Sequence, residues 1–99
     1  MAFRAKYTLP RVDDFIINHR MNSIYQMMLR KDYRRSMNII KNTLHQIQNA
    51  PALEFDPVIV HKMETKLCGA LVYLATRRYN EAHNYIRDLH YILVADAMN

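Results

Sequence analysis

Arg30-Lys31-Asp32-Tyr33-Arg34-Arg35-Ser36-Met37-Asn38-Ile39-Ile40-Lys41 reads as a basic turn running into the first turns of a helix. Asp32 is a good N-cap, because its carboxylate accepts from the orphan N–H groups at a helix start. From there Tyr33, Ser36, Met37, Ile40, Leu44 and Ile47 recur at spacings of three and four, the period of one buried helical face. This predicts a helix over about residues 33–48, and Asn49-Ala50-Pro51 ends it.

Working outward, the same period continues on both sides. Upstream, Pro10 suits the first turn of a helix, Thr8 is its expected cap, and Asp13 and Asp14 favour the positive helix start. That helix should reach about Arg30, with Ile17, Met21, Ile24 and Met28 on one stripe and Val12, Phe15 and Ile16 on a rotated one. A bend near residues 18–22, or burial of two faces, would reconcile the stripes. Residues 1–9 have no clear period and read as an extended arm. Downstream, residues 49–55 form a connection, and Asp56-Pro57 supplies a cap followed by proline at the first helical position. A third helix over 57–76 carries Ile59 or Val60, Met63, Leu67, Ala70, Leu71 and Leu74. Arg77-Arg78 makes a tight turn, and a fourth helix over 79–97 carries Tyr79, Ala82, Ile86, Leu89, Leu93 and Ala97. The expected fold is all-α: one domain of 99 residues with four main helices, paired as two helix-turn-helix hairpins.

The two hairpins are similar to each other. Residues 30–41 laid over Thr76-Arg77-Arg78-Tyr79-Asn80-Glu81-Ala82-His83-Asn84-Tyr85-Ile86-Arg87 align Tyr33 with Tyr79, Ser36 with Ala82, Asn38 with Asn84, Ile40 with Ile86 and Lys41 with Arg87, 46 residues apart. Tyr33/Ser36/Ile40 and Tyr79/Ala82/Ile86 resemble the second helix of a tetratricopeptide repeat, and Ala70 and Tyr73 match the small and aromatic positions of its first helix. Ile24 and Met27 match those positions less well, and the offset exceeds the family's repeat of about 34 residues. The resemblance implies a helical array that binds a helix or an extended segment of another protein. A closed four-helix bundle with short loops is the other arrangement this pattern admits.

Composition removes several function classes. The single glycine, Gly69, leaves no Walker loop, dinucleotide fingerprint or EF-hand, each of which needs glycine at fixed offsets. The single cysteine, Cys68, leaves no intrachain disulfide and no multi-cysteine zinc site, and reads as a small buried hydrophobe. No signal-peptide pattern is visible at the N-terminus, and the longest nearly apolar run, 67–75, is far shorter than the roughly 20 residues of a membrane span. A cytoplasmic protein with no membrane partner is expected. The net charge of +5 admits an acidic protein or a nucleic acid as partner.

The candidate site is the pair of basic turns. Arg30, Lys31, Arg34 and Arg35 surround the first turn, and Arg77 and Arg78 form the second. If the hairpins lie side by side, these six of the fourteen Lys and Arg residues share one pole. Such a pole would dock an acidic segment, or phosphates. The candidate partner-binding residues are these six with Tyr33 and Tyr73. The chain carries none of the zinc-finger, RNP or glycine-bearing helix-turn-helix signatures, so nucleic acid is the lesser alternative.

Met21, Met27, Met28, Met37 and Met63 can fill core gaps or floor a groove for a partner helix. Val58, Val72, Tyr73 and Ala75 make the third helix apolar nearly all round, as in a helix central to the fold or covered by another chain, a second copy included. No histidine pair has the i, i+4 zinc spacing, and Asp13 and Asp14 point to different helix faces. No metal, cofactor or catalysis is therefore expected. The reading is a non-enzymatic interaction module: an adaptor, chaperone or regulator.

Overall fold

A computed structural model of the chain describes residues 12–49 and 56–98, with side chains from 17 to 49 and from 56 to 95. Four helices account for them: α1 (Val12–Leu29), α2 (Tyr33–Asn49), α3 (Pro57–Ala75) and α4 (Tyr79–Met98). The expected arm, its Thr8 and Pro10 cap, the rotated stripe of α1, most of the 49–55 connection and the Ala97 side chain lie outside the described residues. The stripe Ile17, Met21, Ile24 and Met28 is buried on an unbroken α1. α3 starts as its sequence requires: Asp56 Oδ1 accepts from the Val58 N–H at 2.7 Å, and Pro57 opens the helix.

The helices close into a ring. α1 packs on α2, α2 on α3, α3 on α4, and α4 returns to α1. The diagonal pairs, α1 with α3 and α2 with α4, have no Cα atoms within 8 Å among the described residues. Of the two arrangements the sequence admits, the closed bundle is the one formed. Its core is the sum of the four stripes: Ile17, Ile24, Ile40, Met63, Leu67 and Leu89 are fully buried in it. Two polar groups enter the interior without penalty, because each hydroxyl returns to its own helix. Ser36 Oγ donates to the Asp32 carbonyl at 2.8 Å, and Thr43 Oγ1 to the Ile39 carbonyl at 2.7 Å.

The small residues sit where helices press together. Ser36, Ala70 and Ala82 are fully buried. A Cβ added to Gly69 would lie 2.3 Å from the Tyr85 ring of α4. That ring is held from two sides, by Tyr73 edge-on at 5.1 Å and by Lys66 Nζ at 4.4 Å. Gly69→Ala should therefore destabilise the fold by about 1 kcal/mol, the overpacking cost exceeding the gain in helix propensity. On a Tyr85→Ala background the same change should stabilise by about 1 kcal/mol. Thermal melts of the four variants in this cycle check both signs.

α3 is not central. Val58 and Val72 are each 60% exposed, and Cys68 is exposed rather than buried. In a ring of four, each helix has two neighbours and one open side, so α3 keeps solvent on the face carrying Val58, Cys68 and Val72. No helix among the described residues is long and apolar enough to cross a membrane.

Candidate functional site

α1 and α3 end in the same backbone turn. At the first, the Asp32 N–H donates to the Met27 carbonyl and the Lys31 N–H to the Met28 carbonyl, both at 3.0 Å. At the second, the Arg78 N–H donates to the Tyr73 carbonyl at 2.7 Å and the Arg77 N–H to the Leu74 carbonyl at 3.2 Å. This pair of bonds is the Schellman pattern, which closes a helix through one residue in the left-handed region. Lys31 and Arg77 occupy that position, both at φ 61°. Glycine is favoured there, because a Cβ crowds the following carbonyl oxygen. Both turns thus place a long cation at a position that costs stability.

The two turns lead into their next helices differently. Asp32 caps α2, its Oδ1 accepting from the Arg35 N–H at 3.4 Å and its Oδ2 lying 3.5 Å from Arg35 Nε. Arg78 stands at the equivalent position and has no acceptor to offer. It pairs instead with Glu81 in the first turn of α4, where the helix dipole favours an acid.

The up-down-up-down path brings both turns to one pole. The Tyr33 and Tyr79 rings stack there, with centroids 4.0 Å apart and planes 3° from parallel. The chain positions are the matched tyrosines of the internal repeat, so the repeat register becomes a physical contact. The Tyr33 hydroxyl and His83 Nε2 share a hydrogen bond at 3.0 Å. Burial, followed by the positive charge of Lys31, holds His83 below the ordinary histidine range.

Arg35 is tied to Asp32, and Arg78 to Glu81. Arg30, Lys31, Arg34 and Arg77 are exposed and, among the described residues, have no carboxylate within 4.0 Å. The pole therefore presents four uncompensated cations around a tyrosine stack. Compared with protein-family models, curated proteins and solved structures, the chain matches none of them.

Tyr73 stands slightly apart from the other candidates. It faces Tyr85 on the α3/α4 flank and joins the pole only through Arg78, whose guanidinium lies 5.0 Å from its ring centroid. Hydrogen bonding to Tyr85, then charge repulsion from it, lifts the Tyr73 phenol above its usual range, so it stays neutral at physiological pH. Tyr79 and His83 are members of the pole that the basic residues alone do not point to. Tyr79 is signalled by its alignment with Tyr33. His83 has no sequence signal, because its partner comes from another helix. No group of three or more His, Cys, Asp or Glu among the described residues is placed to hold a metal ion.

A histidine held below its usual range leaves the unfolded chain binding more protons as pH falls past 6.5. Stability should be at its full value above that pH and decline below it. Urea midpoints measured from neutral pH to about pH 5 should fall less steeply in His83→Gln than in the parent protein.

Proposed function

We propose that this protein is a non-enzymatic interaction module, an adaptor, chaperone or regulator that docks an acidic segment of a partner protein on its basic pole. The observation that carries this reading is the convergence of Arg30, Lys31, Arg34 and Arg77 at one end of the bundle without acidic partners among the described residues. Two of the four stand in left-handed positions better suited to glycine, which supports a use for their charge beyond folding.

Arg34 and Arg35 are exposed on the first turn of α2, so reversing them leaves the core untouched. Arg34→Glu/Arg35→Glu should reduce capture of the partner by at least about tenfold, equivalent to 1.4 kcal/mol, while the melting temperature changes little. Unchanged capture would reduce the pole to a solvated turn. The same cations suit phosphates, which makes a nucleic-acid regulator the second reading. It requires binding to DNA or RNA that weakens steeply with salt, and no detectable binding at about 50 mM salt removes it.

A further inference from the structure

Among the described residues, the seam between α1 and α4 brings the fewest Cα atoms close together of the four. Two open cavities lie along it. One, of about 210 Å³, is bounded by Tyr25, Met28 and Leu29 of α1 and by His83, Asn84, Ile86 and Arg87 of α4. The other, of about 180 Å³, is bounded by Asn18, Met21 and Asn22 of α1 and by His90, Leu93 and Val94 of α4. Every residue of the first set except Asn84 has a counterpart in the second seven positions along the same helix. The cavities are therefore one heptad apart, about 10.5 Å at 1.5 Å per residue. Between them the Tyr25 and His90 rings stack at 4.0 Å and close the seam.

We infer that this seam is a docking groove for one amphipathic helix of a protein partner, carrying large apolar side chains at i and i+7 and an acidic C-terminal turn directed at the basic pole. The inference rests on the interaction-module reading of the pole. Three properties of the groove select that occupant. The first is spacing: i and i+7 side chains of a helix lie on one face at the separation of the two cavities. The second is size and lining. A closed apolar cavity of about 150 Å³ holds benzene, so each of these accepts one large apolar side chain. Met28 and Met21 line them, and methionine adapts to an incoming shape. Leu29, 58% exposed, and Val94, 43% exposed, add apolar edge to the groove.

The third property is charge. From Ile17 to Lys31 there is no acidic residue. From His83 to Val94 there is one, Asp88, which pairs with Lys66 of α3 at 3.7 Å and lies 3.9 Å from Arg87. The groove runs at its α1 C-terminal end into Arg30 and Lys31. An incoming helix parallel to α1 brings its negative dipole end and acidic side chains to those cations. A second copy of this chain, at net charge +5, would bring like charge instead.

The test is an acetylated, amidated and fluorescently labelled peptide of about 18 residues, long enough to span both cavities. It carries leucine at i and i+7, alanine over the Tyr25/His90 stack and glutamates in its last turn. Anisotropy should give saturable binding with a Kd of about 10 μM or tighter, and amide shifts confined to α1, α4 and the pole. A control peptide with lysines for the glutamates should bind at least about tenfold more weakly. Asn84 and Asn22 are exposed and each borders a cavity, so Asn84→Trp and Asn22→Trp fill the groove without entering the core. Each should weaken the peptide by about tenfold or more at unchanged melting temperature. Absence of binding up to about 1 mM overturns the inference, as does equal binding of the lysine control or indifference to both fillers. A concentration-dependent dimer that the fillers abolish assigns the groove to a second copy and overturns it too. Partner capture lost in Arg34→Glu/Arg35→Glu but intact in Asn22→Trp/Asn84→Trp leaves the interaction reading standing and removes the groove.

Discussion

Leu67→Ala should cost the protein about 3 kcal/mol, with the melting temperature falling by about 4–8 °C for each kcal/mol. Leu67 is fully buried at the middle of α3, facing the centre of the ring. Truncation removes its transfer free energy and leaves a cavity that four helices pressing on one another can only partly close. A domain of this size has about 5–15 kcal/mol in total, so the variant should remain folded at room temperature with little to spare. Val72 lies on the same helix and is also aliphatic, but it is 60% exposed. Val72→Ala should shift stability by no more than about 0.5 kcal/mol. Urea denaturation of the two variants checks the contrast. Equal effects would mean that α3 does not turn its Leu67 face to the core.

Lys31→Gly/Arg77→Gly should stabilise the protein by about 2 kcal/mol and raise its melting temperature. Each residue sits at φ 61° in a helix-closing turn. Glycine removes a left-handed cost of about 1–2 kcal/mol per residue, and part of that gain is returned through the greater freedom of glycine in the unfolded chain. Removing two like charges from one pole adds a further small gain. The same variant should lose partner capture, because two of the four uncompensated cations are gone. Lys31→Ala/Arg77→Ala separates the effects: alanine keeps the Cβ and its left-handed cost while the charge is lost, so capture should fall without the gain in stability. A protein that melts higher yet captures its partner less well would place these residues among those kept for function at a cost in stability. A gain in stability with unchanged capture would strip the turns of any functional role.

The scarcity of glycine acquires a specific meaning at these positions. The one glycine of the chain stands where a helix must admit the Tyr85 ring, and both helix-closing turns do without one. That the turns are basic is plain from Arg30-Lys31 and Arg77-Arg78. That they share a left-handed geometry follows from the hydrogen bonds of Asp32 and Arg78 to carbonyls five residues back, which residue types do not announce.

Cys68 and the outer face of α3 show where pattern reading stops. Val58, Cys68 and Val72 look like interior residues because apolar character, taken one helix at a time, implies burial. How many sides of a helix are covered depends on the number of its neighbours, and α3 has two. The seam between α1 and α4 is hidden for a related reason. Asn18, Asn22, Arg87 and Val94 have nothing in common until α4 folds back onto α1.

The four helices, the capped start of α3 and the core stripe of each helix are set by residue order, because apolar period and capping act over a few neighbouring positions. The common pole of the basic turns follows from that order only once the hairpins are known to lie side by side. Closure of the ring, the Tyr33 contact with His83 and the two cavities one heptad apart arise from packing between segments distant in the chain. Local periodicity says which face of a helix seeks cover; it does not say which helix will provide it.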